Sequence, residues 1–354
     1  MSGATAAGSA GRPVGRHGVR WELGAGLGAG MVAAVGWSAQ HRMVRAARRS
    51  AARAAATGTD PLAMPADVEH RRVVTDDGGS LHVVVRGSGP PVVLLHGIGL
   101  SSAIWAGQLH DLGEEHRVVA VDLRGHGESQ PGSDGFAGGL RRLAADVRQV
   151  LAALSVEHAM LVGHSMGGMV VLQYMAEVPP AERHRRVSGL GLVSTTGGPL
   201  LPVPGWAQLG KVVSPLAAQG LVLVDRLGVE ALPSSDLRWW TGRLAFGRGA
   251  EPAQVAATEQ LIRATPLRTL TALIADVTFF DLSHLLPAVD LPTLVVVGSH
   301  DHLTPARHAV ALAAALPAAR LLELPGAGHM PMLERRGQLS SELYGMAAAV
   351  RGRR

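Results

Sequence analysis

Met160-Leu161-Val162-Gly163-His164-Ser165-Met166-Gly167-Gly168 decides how this chain is read. Three apolar residues close a buried strand and run straight into Gly-x-Ser-x-Gly. The apolar residues Met169 to Met175 then open a helix. A serine on so sharp a strand-to-helix turn is held in a strained backbone conformation with its hydroxyl presented outward. Glycine fits two residues to either side because strand and helix approach too closely there for a Cβ. The first N–H groups of the following helix point toward any negative charge that develops beside the serine. Read alone, the same five residues make an ordinary glycine-rich turn, so the rest of the chain must decide.

Working outward, short apolar runs alternate with amphipathic stretches. His70–Val74 and Leu81–Val85, joined through Asp77-Gly78-Gly79, predict a hairpin. Pro91–Leu95, Arg117–Val121, His158–Val162, Val187–Val193, Pro292–Val297 and Arg320–Leu324 read as further strands, with helices at 101–112 and 140–154. Fully apolar strands of this length between helices predict an α/β fold, a mostly parallel, doubly wound sheet covered on both faces. The alternation stops between Gly197 and Leu286, which holds six of the twelve aromatics. That segment, residues 197–286, is expected to be a helical cap over the carboxyl edge of the sheet, where ligands of open α/β folds bind. The core is then 67–196 with 287–354. Trp206, Trp239, Trp240 and Phe279 are candidate substrate contacts; the alternative is that the cap aromatics only pack the cap's own small core.

Composition narrows the chemistry. The chain has 354 residues, 47% of them hydrophobic, and no cysteine. Disulfides, thiolate zinc sites and a cysteine nucleophile are therefore excluded. Its 16 histidines include no metal-binding pair at helical spacing, and no metal is expected. Residues 1–58 carry eight Arg against Glu22, a balance of +7, which leaves −2 of the net +5 for the rest. The basic character belongs to the N-terminal tail, and nucleic acid is not an expected partner.

That tail, residues 1–66, opens with a Gly/Ala/Ser-rich stretch expected to be disordered. An uncharged run from Leu23 to Gln40 follows, bracketed by Trp21 and Trp37. As a helix, the sixteen steps from Trp21 to Trp37 would span about 24 Å, short of a bilayer core of about 30 Å. Five Arg between Arg42 and Arg53 follow it on a basic, alanine-rich helix. Membrane contact through residues 21–53, and a mobile tail or partner helix, are both open readings. Positive charge after the run places the body on the cytoplasmic side if the run inserts.

Four stretches occur together in strand order. These are His96-Gly97-Ile98-Gly99, Asp122-Leu123-Arg124-Gly125-His126-Gly127-Glu128-Ser129, Gly163-His164-Ser165-Met166-Gly167, and Gly298-Ser299-His300-Asp301 with Gly326-Ala327-Gly328-His329. From about residue 68 onward the chain resembles the α/β-hydrolase superfamily in its capped, esterase- or lipase-like form. The resemblance implies a nucleophile, acid and histidine in that chain order, which Ser165, Asp301 and His329 supply. A serine hydroxyl needs a base at neutral pH, and a carboxylate holds that base in the right tautomer. No acid follows the strand ending at Val193, where Ser194-Thr195-Thr196 stands, so Asp301 is preferred. By resemblance, the backbone N–H groups of Ile98 and Met166 form an oxyanion hole. His96, Gly97 and the loop from Asp122 to Ser129 read as structural, His126 as a loop support, and His164 as turned away by the elbow.

The expected function is hydrolysis of carboxylic esters of apolar acyl groups through an acyl-enzyme, with a small-molecule substrate and no cofactor. Alternatives on the same triad are cofactor-free haloperoxidase or perhydrolase activity, lactone opening and C–C bond hydrolysis. A non-enzymatic ligand receptor on the same fold is a further alternative.

Overall fold

The computed structural model describes residues 60–200 and 243–351, with isolated positions between Arg42 and Thr57. Eight strands form one sheet: β1 (Glu69–Val74), β2 (Ser80–Arg86), β3 (Pro91–Leu95), β4 (Arg117–Val121), β5 (Ala159–His164), β6 (Val187–Val193), β7 (Thr293–Gly298) and β8 (Ala319–Leu324). Their spatial order is β1-β2-β4-β3-β5-β6-β7-β8. The β1–β2 hairpin and the β2–β4 pair are antiparallel, and every other pairing is parallel. The expected doubly wound α/β sheet is thus what the chain forms.

Burial on both faces explains the apolar runs. All six residues of β5 are buried, as are four of the five in β3. Val93, Leu95, Val119, Val121 and Leu161 join one core cluster with α2 (Leu140–Ala153) and α3 (Met166–Glu177). The alternate residues Val92, Leu94, Val118, Ala120 and Val162 are buried toward the other face. There α1 (Ala106–Leu112) packs on β4, and the C-terminal helix Arg336–Arg351 packs on β6. Such two-sided burial is what a central parallel strand requires.

After α4 (Pro180–Arg186) and β6, the described part of the insertion contains α5 (Pro252–Ala264) and α6 (Leu267–Thr278). These two helices lie over the carboxyl ends of the central strands. Thr269 Oγ1 donates to the carbonyl of Gly125 at 3.1 Å, and Asp276 Oδ2 accepts from the Leu140 N–H at 3.3 Å. Helices α7 (Ala306–Ala315), α8 (Pro331–Glu334) and α9 (Arg336–Arg351) complete the chain. Trp206, Trp239 and Trp240 lie outside the described residues, as does the apolar run 21–40. Among the described residues no helix is long and apolar enough to cross a membrane.

Candidate active site

Ser165 sits between the end of β5 and the start of α3 with φ 52° and ψ −118°, in the region that side-chain-bearing residues avoid. The flanking glycines show why the turn can exist. A Cβ on Gly163 would meet the Gly167 carbonyl oxygen at 2.3 Å, and one on Gly167 would meet that of Leu95 at 2.3 Å. Both obstacles are backbone, so neither position could yield to a side chain. The elbow is held from outside as well: the Ser165 N–H donates to the Val193 carbonyl at 2.9 Å, and Thr195 Oγ1 donates to the Ser165 carbonyl at 2.7 Å.

Asp301 and His329 come from the loops after β7 and β8. His329 Nδ1 lies 2.9 Å from Asp301 Oδ2, and both residues are buried. Burial alone would push the Asp301 carboxyl up. The charge and hydrogen bond of His329 and the donors of Thr304 outweigh it and hold the carboxyl at about 2. A carboxylate there accepts, so the His329 Nδ1 carries the proton and Nε2 is left as the basic nitrogen. Ser165 and His329 line the same cavity. The hydrogen bond from Ser165 Oγ to His329 Nε2 is not made in the structure; such contacts commonly tighten only around substrate.

The cavity measures about 480 Å³. Ile98, Leu100, Met169 and Met330 line it from the core, Leu200 from the start of the insertion, and Ile262, Leu267, Leu270, Ile274 and Val277 from α5 and α6. Besides Ser165, its polar side chains are His164, His329 and Thr304 from the core and Thr258 and Thr271 from α5 and α6. Ile98 borders the cavity, and Met166 is the first residue of α3, where a helix N–H has no partner of its own. Phe279 does not reach the cavity. It caps the end of α6 half-buried, while Phe246 and Phe280 are buried. The expectation of a substrate contact at Phe279 finds no support among the described lining residues: the described aromatics stand outside the lining, and the described walls are aliphatic. Helix geometry decides this, since Leu267, Leu270, Ile274 and Val277 share the face that α6 turns to the cavity.

Three supporting residues escape a reading of sequence motifs. Thr304 Oγ1 donates to Asp301 Oδ2 at 2.8 Å, while the N–H groups of Leu303 and Thr304 donate to Oδ1. The sequence signal was available, because an aspartate often collects the N–H groups two and three residues on. His164 is not simply turned away. Its Nε2 donates to the His329 carbonyl at 2.8 Å, and the two rings stand 4.8 Å apart. Glu334 accepts from the N–H groups of Gly328 and Gly247, both at 2.8 Å, bracing the histidine loop. No local pattern marks Glu334, since one partner stands six residues before it and the other in a distant segment.

The two loops read as structural behave so. His96 donates from Nδ1 to the Gly97 carbonyl and accepts the Leu123 N–H at Nε2. Fully buried Arg124 is paired with Asp77 and Asp146. His126 Nδ1 donates to the Arg124 carbonyl at 3.0 Å.

A parallel sheet carrying a strained serine elbow, with an Asp–His pair on later loops, defines the class. The chain belongs to the alpha/beta hydrolase fold family, whose profile matches residues 90–336. It is 31% identical over 263 residues to an uncharacterized protein of Mycobacterium tuberculosis, a match covering 70% of this chain and 72% of that one. It is 29% identical over 277 residues to a pimeloyl-acyl-carrier-protein methyl ester esterase of Xanthomonas axonopodis pv. citri, covering 76% and 100%. Among solved structures, an esterase from Thermogutta terrifontis superposes with a TM-score of 0.66 at 25% identity, over 80% of this chain and 99% of that one. The protein is thus an alpha/beta hydrolase with esterases among its relatives.

Proposed function

We propose that the protein is a serine carboxylesterase acting on small esters with apolar acyl groups. One observation carries the reading: Ser165 and the Asp301–His329 pair open onto one aliphatic cavity. His329 Nε2 takes the Ser165 proton as Oγ attacks the acyl carbon. The Ile98 and Met166 N–H groups receive the oxyanion. His329 then returns the proton to the departing alcohol, leaving an acyl-enzyme. Water enters, His329 accepts its proton, and the tetrahedral intermediate collapses to release the acid and restore Ser165. Throughout, Asp301 holds the Nδ1–H tautomer and stabilises the imidazolium.

The aliphatic walls supply binding energy to a long acyl chain that an acetate cannot collect. A series of aryl esters from acetate upward tests this directly. kcat/KM is expected to rise with chain length until the cavity is filled. Hydrolysis of none of them, with turnover only of lactones, peroxide-dependent substrates or C–C bonds, would move the reaction to one of those alternatives.

The same reading places the body on the cytoplasmic side, held to anionic lipid through residues 21–53. Its support is the uncharged run and the arginines behind it. Arg42, Arg45, Arg49 and Arg53 are each helical and exposed, and their charge suits an anionic lipid surface. Deleting residues 1–58 should release the protein from anionic vesicles and leave turnover of soluble esters unchanged. Full-length protein that ignores such vesicles at low salt would remove the membrane role.

A further inference from the structure

On the edge of the sheet, away from the cavity, three donors that this reaction does not use come together. His70 on β1, His82 on β2 and Glu128 in the loop after β4 each offer one ligand atom, and these atoms lie within 4.8 Å of one another. The hairpin register explains the meeting. His82 stands opposite Arg72, which makes His70 its diagonal neighbour on the same face. The two rings lie 18° from parallel, with His70 Nδ1 2.8 Å from His82 Nε2. Two imidazole nitrogens cannot face each other so closely with both lone pairs bare. Something positive must stand between them, and a shared proton is the least that will serve.

The far side of His82 fixes which nitrogen is which. His82 Nδ1 lies 2.8 Å from Asp122 Oδ2. The same Asp122 carboxyl also accepts the backbone N–H groups of Glu128 and Ser102, so it is an acceptor on every side. Nδ1 of His82 therefore carries its proton toward Asp122, and Nε2 turns its lone pair outward to His70. A carboxylate behind an imidazole in this way orients and strengthens a metal ligand. Glu128 is anchored by the same carboxylate, its N–H donating to Asp122 Oδ2 at 3.0 Å, while its Oε2 accepts from Arg72 at 2.8 Å.

We propose that His70, His82 and Glu128 form a site for a divalent transition metal of the zinc class. Two imidazoles and one carboxylate suit that ion, and water completes its four ligands. The ion replaces the proton now shared between the rings, and His70 moves its own proton from Nδ1 to solvent-facing Nε2. Ring nitrogens about 2.0–2.1 Å from the ion must stand further apart than at present. Exposed His70 can turn to allow this, whereas buried His82 stays fixed on Asp122. Arg72 remains on one oxygen of Glu128, leaving the other for the metal. The bound ion would tie the exposed edge strand β1 to β2 and to the loop after β4.

The test uses the full chain without an affinity tag, stripped of metal and titrated with zinc, and in parallel with cobalt. One equivalent is expected to bind, to raise Tm because only the folded chain presents the three donors together, and to give cobalt a tetrahedral visible spectrum. His70→Ala and Glu128→Gln should each weaken binding by at least the roughly 10- to 100-fold that loss of an outer partner costs. Turnover of esters by the metal-free variants should match that of the metal-free parent, which shows that they fold. Absence of stoichiometric binding, or binding undiminished in the double variant, would overturn the site.

Discussion

His164 shows what the proposed chemistry demands of single residues. An imidazole packed against a general base must not compete for its proton. Burial, and then the charge of His329, push the His164 ring well below its ordinary value, so it stays neutral as His329 becomes charged. It acts instead through Nε2–H on the His329 main chain. Asp301 does the opposite, staying ionised behind Nδ1. Asp301→Asn should therefore leave KM nearly unchanged and lower kcat by about 10³–10⁴-fold, because an amide can favour the wrong tautomer of His329. Steady-state kinetics on one aryl ester checks this, and a silent substitution would mean that the acid lies elsewhere. At this scale the sequence was informative where chemistry demands a residue type in a fixed setting, as at Ser165, Asp301 and His329. It read His164 as turned away, because the role of that ring depends on where a distant loop comes to rest.

Between elements, the feature that stands out is how the histidine loop is joined to the insertion. The His329 N–H donates to the Ala245 carbonyl at 2.6 Å, and Glu334 at the end of α8 receives Gly328 and Gly247 together. Movement of the segment around Gly247 is thereby coupled to the proposed base. Glu334→Ala leaves the N–H groups of Gly247, Gly328 and Met330 without this acceptor and should cost about 1–3 kcal/mol in urea unfolding. Its kcat should fall more than its KM rises, since the loop carrying His329 loosens while the cavity walls remain. Unchanged stability and kinetics would show that the loop stands without it. The walls give a second prediction. Leu270→Ala or Ile274→Ala should shift chain-length preference toward shorter esters with little effect on acetate, whereas Phe279→Ala should not. Comparison of kcat/KM across the ester series decides between them. The strands were legible because two-sided burial writes continuous apolar runs. Which residues wall the cavity was not, because a cap helix can turn any face toward the core, and aromatic content does not say which.

Across the whole molecule, buried neutral histidines set the response to acid. His96, His126 and His164 are all pushed down chiefly by burial, His126 to about 3. In the unfolded chain they would take up protons near the ordinary value of about 6.5. Between that pH and about 3 the unfolded state binds more protons, so stability falls as pH falls through this window. Asp122 and Asp301, both held at about 2, add a second loss from about 4 down to 2. The urea midpoint should thus decline from about pH 6.5 downward, and His126→Asn should flatten the slope. A midpoint constant from pH 7 to 5 would contradict the burial argument. Composition already separated the basic tail from the acidic body. It could not reveal His70, His82 and Glu128 as a cluster, because only strand register and a loop crossing bring them together.

Every proposed step begins at Ser165 as the nucleophile. Treating the full chain with a fluorophosphonate and mapping the adduct by peptide mass spectrometry tests this without assuming a substrate. A single adduct on Ser165 is predicted, with ester turnover lost in proportion to labelling, and no adduct in Ser165→Ala. An adduct on another residue, or full turnover in a completely labelled sample, would contradict it.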